Sequence, residues 1–123
     1  MQVLQIRPME VVRVDQDRLG ALYRQLGEAG AEDVVCRALE ELALRLSHCE
    51  TLYRANRAAE LRKNARSLIA IADQVGMSAL SQVARDVTCC IDRADATALA
   101  ATLSRLLRVG ERSLTAVWDI QEV

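Results

Sequence analysis

Several residue types are scarce in this sequence, and each scarcity counts against a class of protein. Phe is absent and aromatic residues are 2% of the chain, which disfavours an all-β fold because β-rich cores depend on aromatic and β-branched side chains. One Pro and five Gly exclude a flexible linker protein. The single His, His48, excludes a di-iron bundle site, which requires Glu-x-x-His pairs. A net charge of -1 argues against a dedicated nucleic-acid binder.

Aliphatic residues make up most of the rest. The chain of 123 residues is 51% hydrophobic, and Ala (19) and Leu (17) are prominent in it. This composition predicts one all-α domain over residues 15–123, preceded by an arm over residues 1–14. No apolar run approaches the roughly 20 residues that span a bilayer, and Met1–Met9 lacks the apolar segment of a secretion signal. We therefore expect a cytoplasmic protein.

Two helices are predicted for the first half of the domain. Asp15 or Asp17 caps a short helix that runs to about Gly27, and residues 27–30 form a break. A second helix follows over residues 31–54, because apolar residues alternate there at spacings of three and four. The apolar stripe of this second helix consists of Val35, Ala38, Leu39, Leu42, Leu46, Cys49 and Tyr53.

Three further helices complete the domain. Asn56 is expected to cap the third, which ends at Gly76, while Ser78 caps the fourth and Asp95 caps the fifth. The stripe of the third helix is Leu61, Ala65, Leu68, Ala72 and Val75. Because the connecting loops are short, consecutive helices should be antiparallel. The predicted fold is an antiparallel up-down four-helix bundle with a short extra N-terminal helix.

The cysteines and the histidine do not form a pattern that carries chemistry. Cys36, Cys49, Cys89 and Cys90 have no C-x-x-C spacing, and two adjacent ligands do not match a structural zinc site. His48 and Cys49 are neighbours on one helix and point about 100° apart, so they are not a nucleophile and its base. We expect no metal, no cofactor and no enzymatic activity.

Charge is segregated between the second and third predicted helices. Residues 28–50 carry six acidic residues and two basic ones, whereas residues 54–66 carry five basic residues and one acidic one. Arg62 and Arg66 lie one turn apart on the solvent side of the third helix, and Ile69 lies one turn further along. Such a strip is typical of a docking face for an acidic partner. The alternative is a solvated bundle in which neighbouring helices of opposite charge attract each other.

The third helix resembles a known family. Residues 59–70 read Ala-Glu-Leu-Arg-Lys-Asn-Ala-Arg-Ser-Leu-Ile-Ala, which is similar to the active helix of histidine-containing phosphotransfer (HPt) domains, His-x-Leu-Lys-Gly-x-Ala-x-x-Leu-Gly-Ala. The segments 17–22 and 83–87, together with Asp92 and Asp95 before the last helix, also resemble HPt domains. The resemblance covers about residues 15–117 and implies a helical bundle of phosphorelay signalling.

The chain departs from the family at the reactive position. When the apolar stripes are superimposed, Ala59 falls where HPt domains carry the phosphorylated histidine, Arg62 falls on their Lys, and Lys63 and Ile69 fall on their two Gly. A register shifted by one residue puts Glu60 at the histidine position, but it moves Arg62 into the core. An Ala methyl group cannot accept a phosphoryl group. The resemblance therefore implies a degenerate member that carries no phosphate.

The resemblance also implies a class of partner. HPt domains bind receiver domains and histidine kinases, and the matching surface here would be formed by Arg62, Lys63, Arg66 and Ile69. Receiver domains present an acidic pocket that suits such a strip. We expect binding to a receiver domain or a histidine kinase, and no binding to nucleic acid or membranes.

Two other interpretations remain open. Val117, Trp118 and Ile120 form an apolar cluster near the C-terminus, which would suit a structural bundle that associates with a second copy and is unrelated to phosphorelays. Alternatively, His48 on the second helix carries phosphate itself, although no Lys-Gly element follows it.

Overall fold

A computed structural model describes the backbone of residues 14–121 and the side chains of residues 14–119. Within this range the chain forms four α-helices and no strand: α1 (Gln16–Arg54), α2 (Ala58–Gln74), α3 (Ser78–Asp92) and α4 (Ala96–Gln121). The predicted all-α class is confirmed. The predicted arm, except for Val14, and the side chain of Ile120 lie outside the described residues.

The first two predicted helices form one element with a kink. The Asp15 carboxylate accepts a hydrogen bond from the Arg18 N–H at 3.1 Å, which caps α1 as predicted. Gly27 has φ 76° and ψ 170°, so the helix turns at that residue. Helical geometry resumes directly after Gly27 and not at Ala31, because one Gly with positive φ is enough to change the chain direction.

The connection between α1 and α2 differs from the prediction. Asn56 does not cap α2; it takes a left-handed conformation, with φ 60°, and follows the end of α1. The Arg57 N–H then donates to the Leu52 carbonyl at 3.0 Å, which closes the last turn of α1. Arg57 occupies the N-cap position of α2 without a side-chain capping bond. An Asn tolerates the left-handed region, so this residue ends one helix instead of starting the next.

Gly76 ends α2 as predicted and also holds the start of α1. It has φ 77°, and its carbonyl accepts a hydrogen bond from the Asp15 N–H at 2.7 Å. The predicted cap at Ser78 is wrong, because Met77 is the N-cap and Ser78 is the first helical residue. Met77 is buried in the core, so packing of its side chain positions this connection.

The last connection matches the prediction more closely. Asp95 accepts a hydrogen bond from the Ala98 N–H at 3.0 Å and caps α4. The preceding Ala94 adopts a left-handed conformation with φ 53°, which is unfavourable for a residue with a Cβ atom. Both features lie in the three-residue connection that joins α3 to α4.

The four helices share one aliphatic core. α1 packs against α2 and α4, α2 against α3, and α3 against α4. All five predicted stripe residues of α2 are buried, whereas in α1 Leu52 is buried in place of Tyr53 and Leu39 is only half-buried. α4 approaches α1 closely at Gly110, where a Cβ atom would lie 2.6 Å from Leu46 Cδ1. None of the described helices combines the length and the apolarity needed to cross a membrane.

Candidate protein-docking surface

The outward side of α2, here called the α2 face, carries the predicted docking residues. Since Leu61, Ala65 and Leu68 point into the core, Ala59, Arg62, Lys63 and Arg66 are left on the solvent side. Ala59, Lys63 and Arg66 are exposed, and Arg62 is partly exposed. Ile69 differs from the expectation of an exposed residue, because it is half-buried and packs against the core.

Arg62 is engaged by α3. Its Nε donates to Asp92 Oδ1 at 2.7 Å and its Nη2 donates to Oδ2 at 3.2 Å. These hydrogen bonds hold the pKa of the Asp92 carboxyl below its ordinary value, and the positive charge of Arg66 acts in the same direction. A second pair, Arg85 with Asp73 at 2.9 Å, joins the same two helices. On the side of the α2 face towards α3, ion pairs thus occupy the charged side chains.

Lys63 and Arg66 differ from most basic residues near them. Arg45, Arg54, Arg57 and Arg62 each form an ion pair. Among the described residues, no carboxylate lies within 4.0 Å of the Lys63 ammonium or the Arg66 guanidinium. Two positive charges on the α2 face are therefore available for an external acidic group.

An open cleft lies on the other side of α2. Its volume is about 410 Å³, and we call it the α1/α2 cleft. Its lining residues are Arg45, His48, Leu52, Glu60, Lys63, Asn64 and Ser67. Lys63 thus belongs both to the α2 face and to the cleft, which makes the two a continuous surface.

Asn64 is a buried polar residue on the α2 side of the cleft, and it ties the cleft to the core. Its Nδ2 donates to the Arg45 carbonyl at 2.8 Å and lies 3.1 Å from Cys49 Sγ, while its Oδ1 accepts from Arg45 Nη1 at 3.1 Å. Arg45 Nε also donates to Glu41 at 3.0 Å. These bonds fix the Arg45 side chain at the edge of the cleft, because two groups on two helices hold it.

Cys49 lies behind the cleft and is chemically inert. Burial raises the pKa of its thiol to about 11, against the opposing effects of the Asn64 hydrogen bond and the Arg45 charge. The thiol therefore stays protonated at neutral pH, and a protonated thiol is a poor nucleophile and metal ligand. No group of three or more His, Cys, Asp or Glu side chains suited to a metal ion occurs in the part of the chain that is described.

His48 is exposed on α1, where it lines the cleft together with Lys63. It lies on a different helix from Ala59. Its imidazole has no hydrogen-bond partner among the described residues that would orient it as a nucleophile.

Sequence reasoning missed the cleft residues Arg45 and Asn64. The signal for Asn64 was its position three residues after Leu61, inside the apolar stripe of α2. Arg45 had no comparable signal, because its contact with Asn64 joins residues 19 positions apart.

No protein-family model, curated protein or solved structure matches the chain. Its function must be argued from the chemistry of the α2 face and the α1/α2 cleft.

Proposed function

We propose that this chain is an HPt-like interaction module of two-component signalling. It binds a receiver domain or a histidine kinase in the cytoplasm and carries no phosphate. The observation that carries this proposal is the α2 face, where Lys63 and Arg66 are exposed without an acidic partner among the described residues. Ala59, the counterpart of the phosphorylated histidine in the family resemblance, lies exposed one turn before Lys63.

We infer that the four helices form an antiparallel up-down bundle whose first helix is extended by a short N-terminal limb. Three-residue connections join α1 to α2, α2 to α3, and α3 to α4, and connections of this length favour antiparallel neighbours. The helix contacts form a closed ring in chain order, which is the contact pattern of an up-down bundle. In this arrangement one side of α2 is free for a partner.

The α2 face suits docking better than transfer. A phosphoryl acceptor must present a nucleophilic atom, and Ala59 presents a methyl group. Lys63 stands where the family has a Gly, so a long cation occupies the point of close approach. That cation would hinder transfer geometry while attracting an acidic surface.

The test is a titration of the purified chain against the receiver domains of the same organism. We expect at least one to bind, and Lys63→Glu or Arg66→Glu to raise its Kd about tenfold, since each change replaces attraction by repulsion. Arg112→Glu is the matched control, because Arg112 is exposed on α4, which packs against α1 and α3. Absence of binding to every receiver domain and kinase tested would contradict the proposal, as would equal affinities for all three variants.

A second candidate function is self-association. Trp118 on α4 is 52% exposed and lines an apolar groove between α1 and α4 with Leu39, Leu114 and Thr115. Exposed aromatic side chains beside aliphatic ones are enriched in interfaces. Light scattering separates the candidates, because a stable dimer that Trp118→Ala dissociates supports self-association, whereas a monomer that binds a receiver domain supports the docking module.

A further inference from the structure

Some of the charged residues that line the α1/α2 cleft are paired with residues outside it, so the lining alone does not give the net charge of the cleft. Its one carboxylate, Glu60, is already paired with Arg57, which lies outside the lining. Arg45 is paired with Glu41, also outside the lining. What remains uncommitted among the described residues is the positive charge of Lys63 and the imidazole of His48. The cleft therefore favours a negatively charged group.

The cleft also has donors on both of its walls. Lys63 offers up to three N–H groups from α2, and His48 offers a ring N–H from α1. Arg45 uses Nε and Nη1 in its bonds to Glu41 and Asn64, which leaves Nη2 uncommitted among the described residues. N–H donors on two facing helices suit a carboxylate, whose two oxygens accept several hydrogen bonds.

The two walls of the cleft are joined before any partner arrives. Asn64 is 6% exposed. Its hydrogen bonds to the side chain and to the backbone carbonyl of Arg45 connect α2 with α1. This linkage fixes the separation of the two helices where the cleft opens. Binding there requires little reordering of the backbone, and preorganisation of this kind increases affinity.

We propose that the α1/α2 cleft receives a carboxylate side chain of a protein partner, which contacts Lys63 from one wall and His48 from the other. This inference rests on the proposed function, because it names the chemistry of the partner at the same surface. It extends the docking surface from α2 onto α1. An acidic side chain that projects from the partner would enter the cleft while the α2 face covers the surrounding area.

The experiment uses the full chain and a fluorescent peptide rich in glutamate, with a peptide in which glutamine replaces glutamate as the control ligand. We expect only the glutamate peptide to bind, with the largest amide shifts in NMR spectra at residues of the cleft. His48→Glu should raise its Kd about tenfold, because the new carboxylate competes for Lys63 and repels the ligand.

The matched control is Ala100→Glu, which adds the same single negative charge at an exposed position of α4. This variant should keep the wild-type affinity for the peptide. Equal losses of affinity in both variants would overturn the inference, since the effect would then come from net charge. Amide shifts outside the cleft, or tighter binding of inorganic phosphate than of the peptide, would overturn it as well.

A titration of the bound receiver domain separates this inference from the proposed function. If Arg66→Glu weakens the receiver complex and His48→Glu does not, docking stands and the cleft site is wrong. If the peptide binds in the cleft but no receiver domain or kinase binds the chain, the phosphorelay function is wrong, and with it the partner that the inference assigns to the cleft.

Discussion

Asn64 is the polar side chain that α2 buries, and its contacts explain how an apolar interface accommodates it. Both ends of the amide have partners, since Nδ2 donates to the Arg45 carbonyl and Oδ1 accepts from Arg45 Nη1. A buried amide with satisfied groups adds little to stability, but an unsatisfied one is costly. The pair therefore does more to fix the position of Arg45 at the cleft than to stabilise the fold.

The buried thiol of Cys49 makes the stability of the fold depend on alkaline pH. Burial raises the pKa of its thiol from 9.0 to about 11, so the unfolded chain loses this proton at a lower pH than the folded chain does. The stabilisation is complete below pH 9 and is lost as pH rises through the folded value. The free energy of unfolding should fall by up to about 3 kcal/mol from this group over that range.

The measurement is urea denaturation at several pH values from neutral to alkaline, for the wild type and for Cys49→Ala. Other groups also titrate at alkaline pH, so the difference between the two pH profiles is the quantity that matters. The variant should lose less stability with rising pH than the wild type. If the free energy of unfolding fell equally with pH in both proteins, burial would not raise the pKa of the Cys49 thiol in the folded chain.

Gly76 lies in the connection between α2 and α3, at a position where a side chain would not fit. A Cβ atom there would lie 2.7 Å from the Asp15 carbonyl oxygen, and the residue has φ 77°. Gly76→Ala should therefore lower the free energy of unfolding by about 2–3 kcal/mol, from left-handed strain and from a clash with backbone. Gly20→Ala is the control for thermal denaturation, because Gly20 lies within α1 without a positive φ and an added Cβ would meet only Arg24 Nη1, at 3.4 Å. It should keep or raise the free energy of unfolding, since Ala is favoured over Gly within a helix, and a loss equal to that of Gly76→Ala would contradict the strain at Gly76.

Ala94 gives the opposite prediction in the connection between α3 and α4. Its φ of 53° is left-handed, so Ala94→Gly relieves strain and should raise the free energy of unfolding by about 0.5–1 kcal/mol. The control is Ala100→Gly, at an exposed helical position of α4, which should lower it by about the same amount. Thermal denaturation of both variants tests the pair, and a loss of stability in Ala94→Gly would refute the strain.

The elements also separate what sequence can predict from what it cannot. The buried stripe of α2 was predicted in full, because a helical period is a local property of neighbouring residues. The caps at Asn56 and Ser78 were wrong, because residues favoured at N-caps were outweighed by the left-handed turn at Asn56 and by the burial of Met77. Local preference is a weak guide where tertiary packing decides.

The candidate site also contains some features that the sequence could predict and others that it could not. The solvent exposure of Lys63 and Arg66 follows from their angular distance from the core stripe, so sequence alone could place them. The bond from Arg62 to Asp92 joins residues 30 positions apart, and the Arg45–Asn64 contact joins residues 19 apart. No periodic pattern encodes such pairs, because they depend on how the helices are arranged against each other.

The total charge of the molecule does not reveal the local charge of the proposed docking surface. The net charge is -1, so the chain as a whole has little attraction for an acidic partner. The surface α1 exposes includes several carboxylates paired with arginines of the same helix, such as Asp33 with Arg37 and Glu50 with Arg54. The α2 face, by contrast, has Lys63 and Arg66 without such partners among the described residues. Attraction is thus local and depends on the orientation in which a partner approaches.

This locality gives a prediction about salt. Exposed charges farther apart than about 8 Å are screened at physiological ionic strength. Added salt should therefore slow association with the proposed partner, a receiver domain, while hardly changing its dissociation. The screening length falls from about 30 Å in dilute buffer to about 3 Å at 1 M salt, and over this range we expect the association rate to fall about tenfold or more.

The folded chain itself should keep nearly the same Tm in the same salt series, because its core is aliphatic and its exposed ion pairs contribute little. Surface plasmon resonance and thermal denaturation in the same salt series measure the two effects, with Arg66→Glu as the variant that should lose most of the salt dependence. An association rate that does not change with salt would mean that the partner recognises the α2 face by shape. It would contradict a role of Lys63 and Arg66 in recognition.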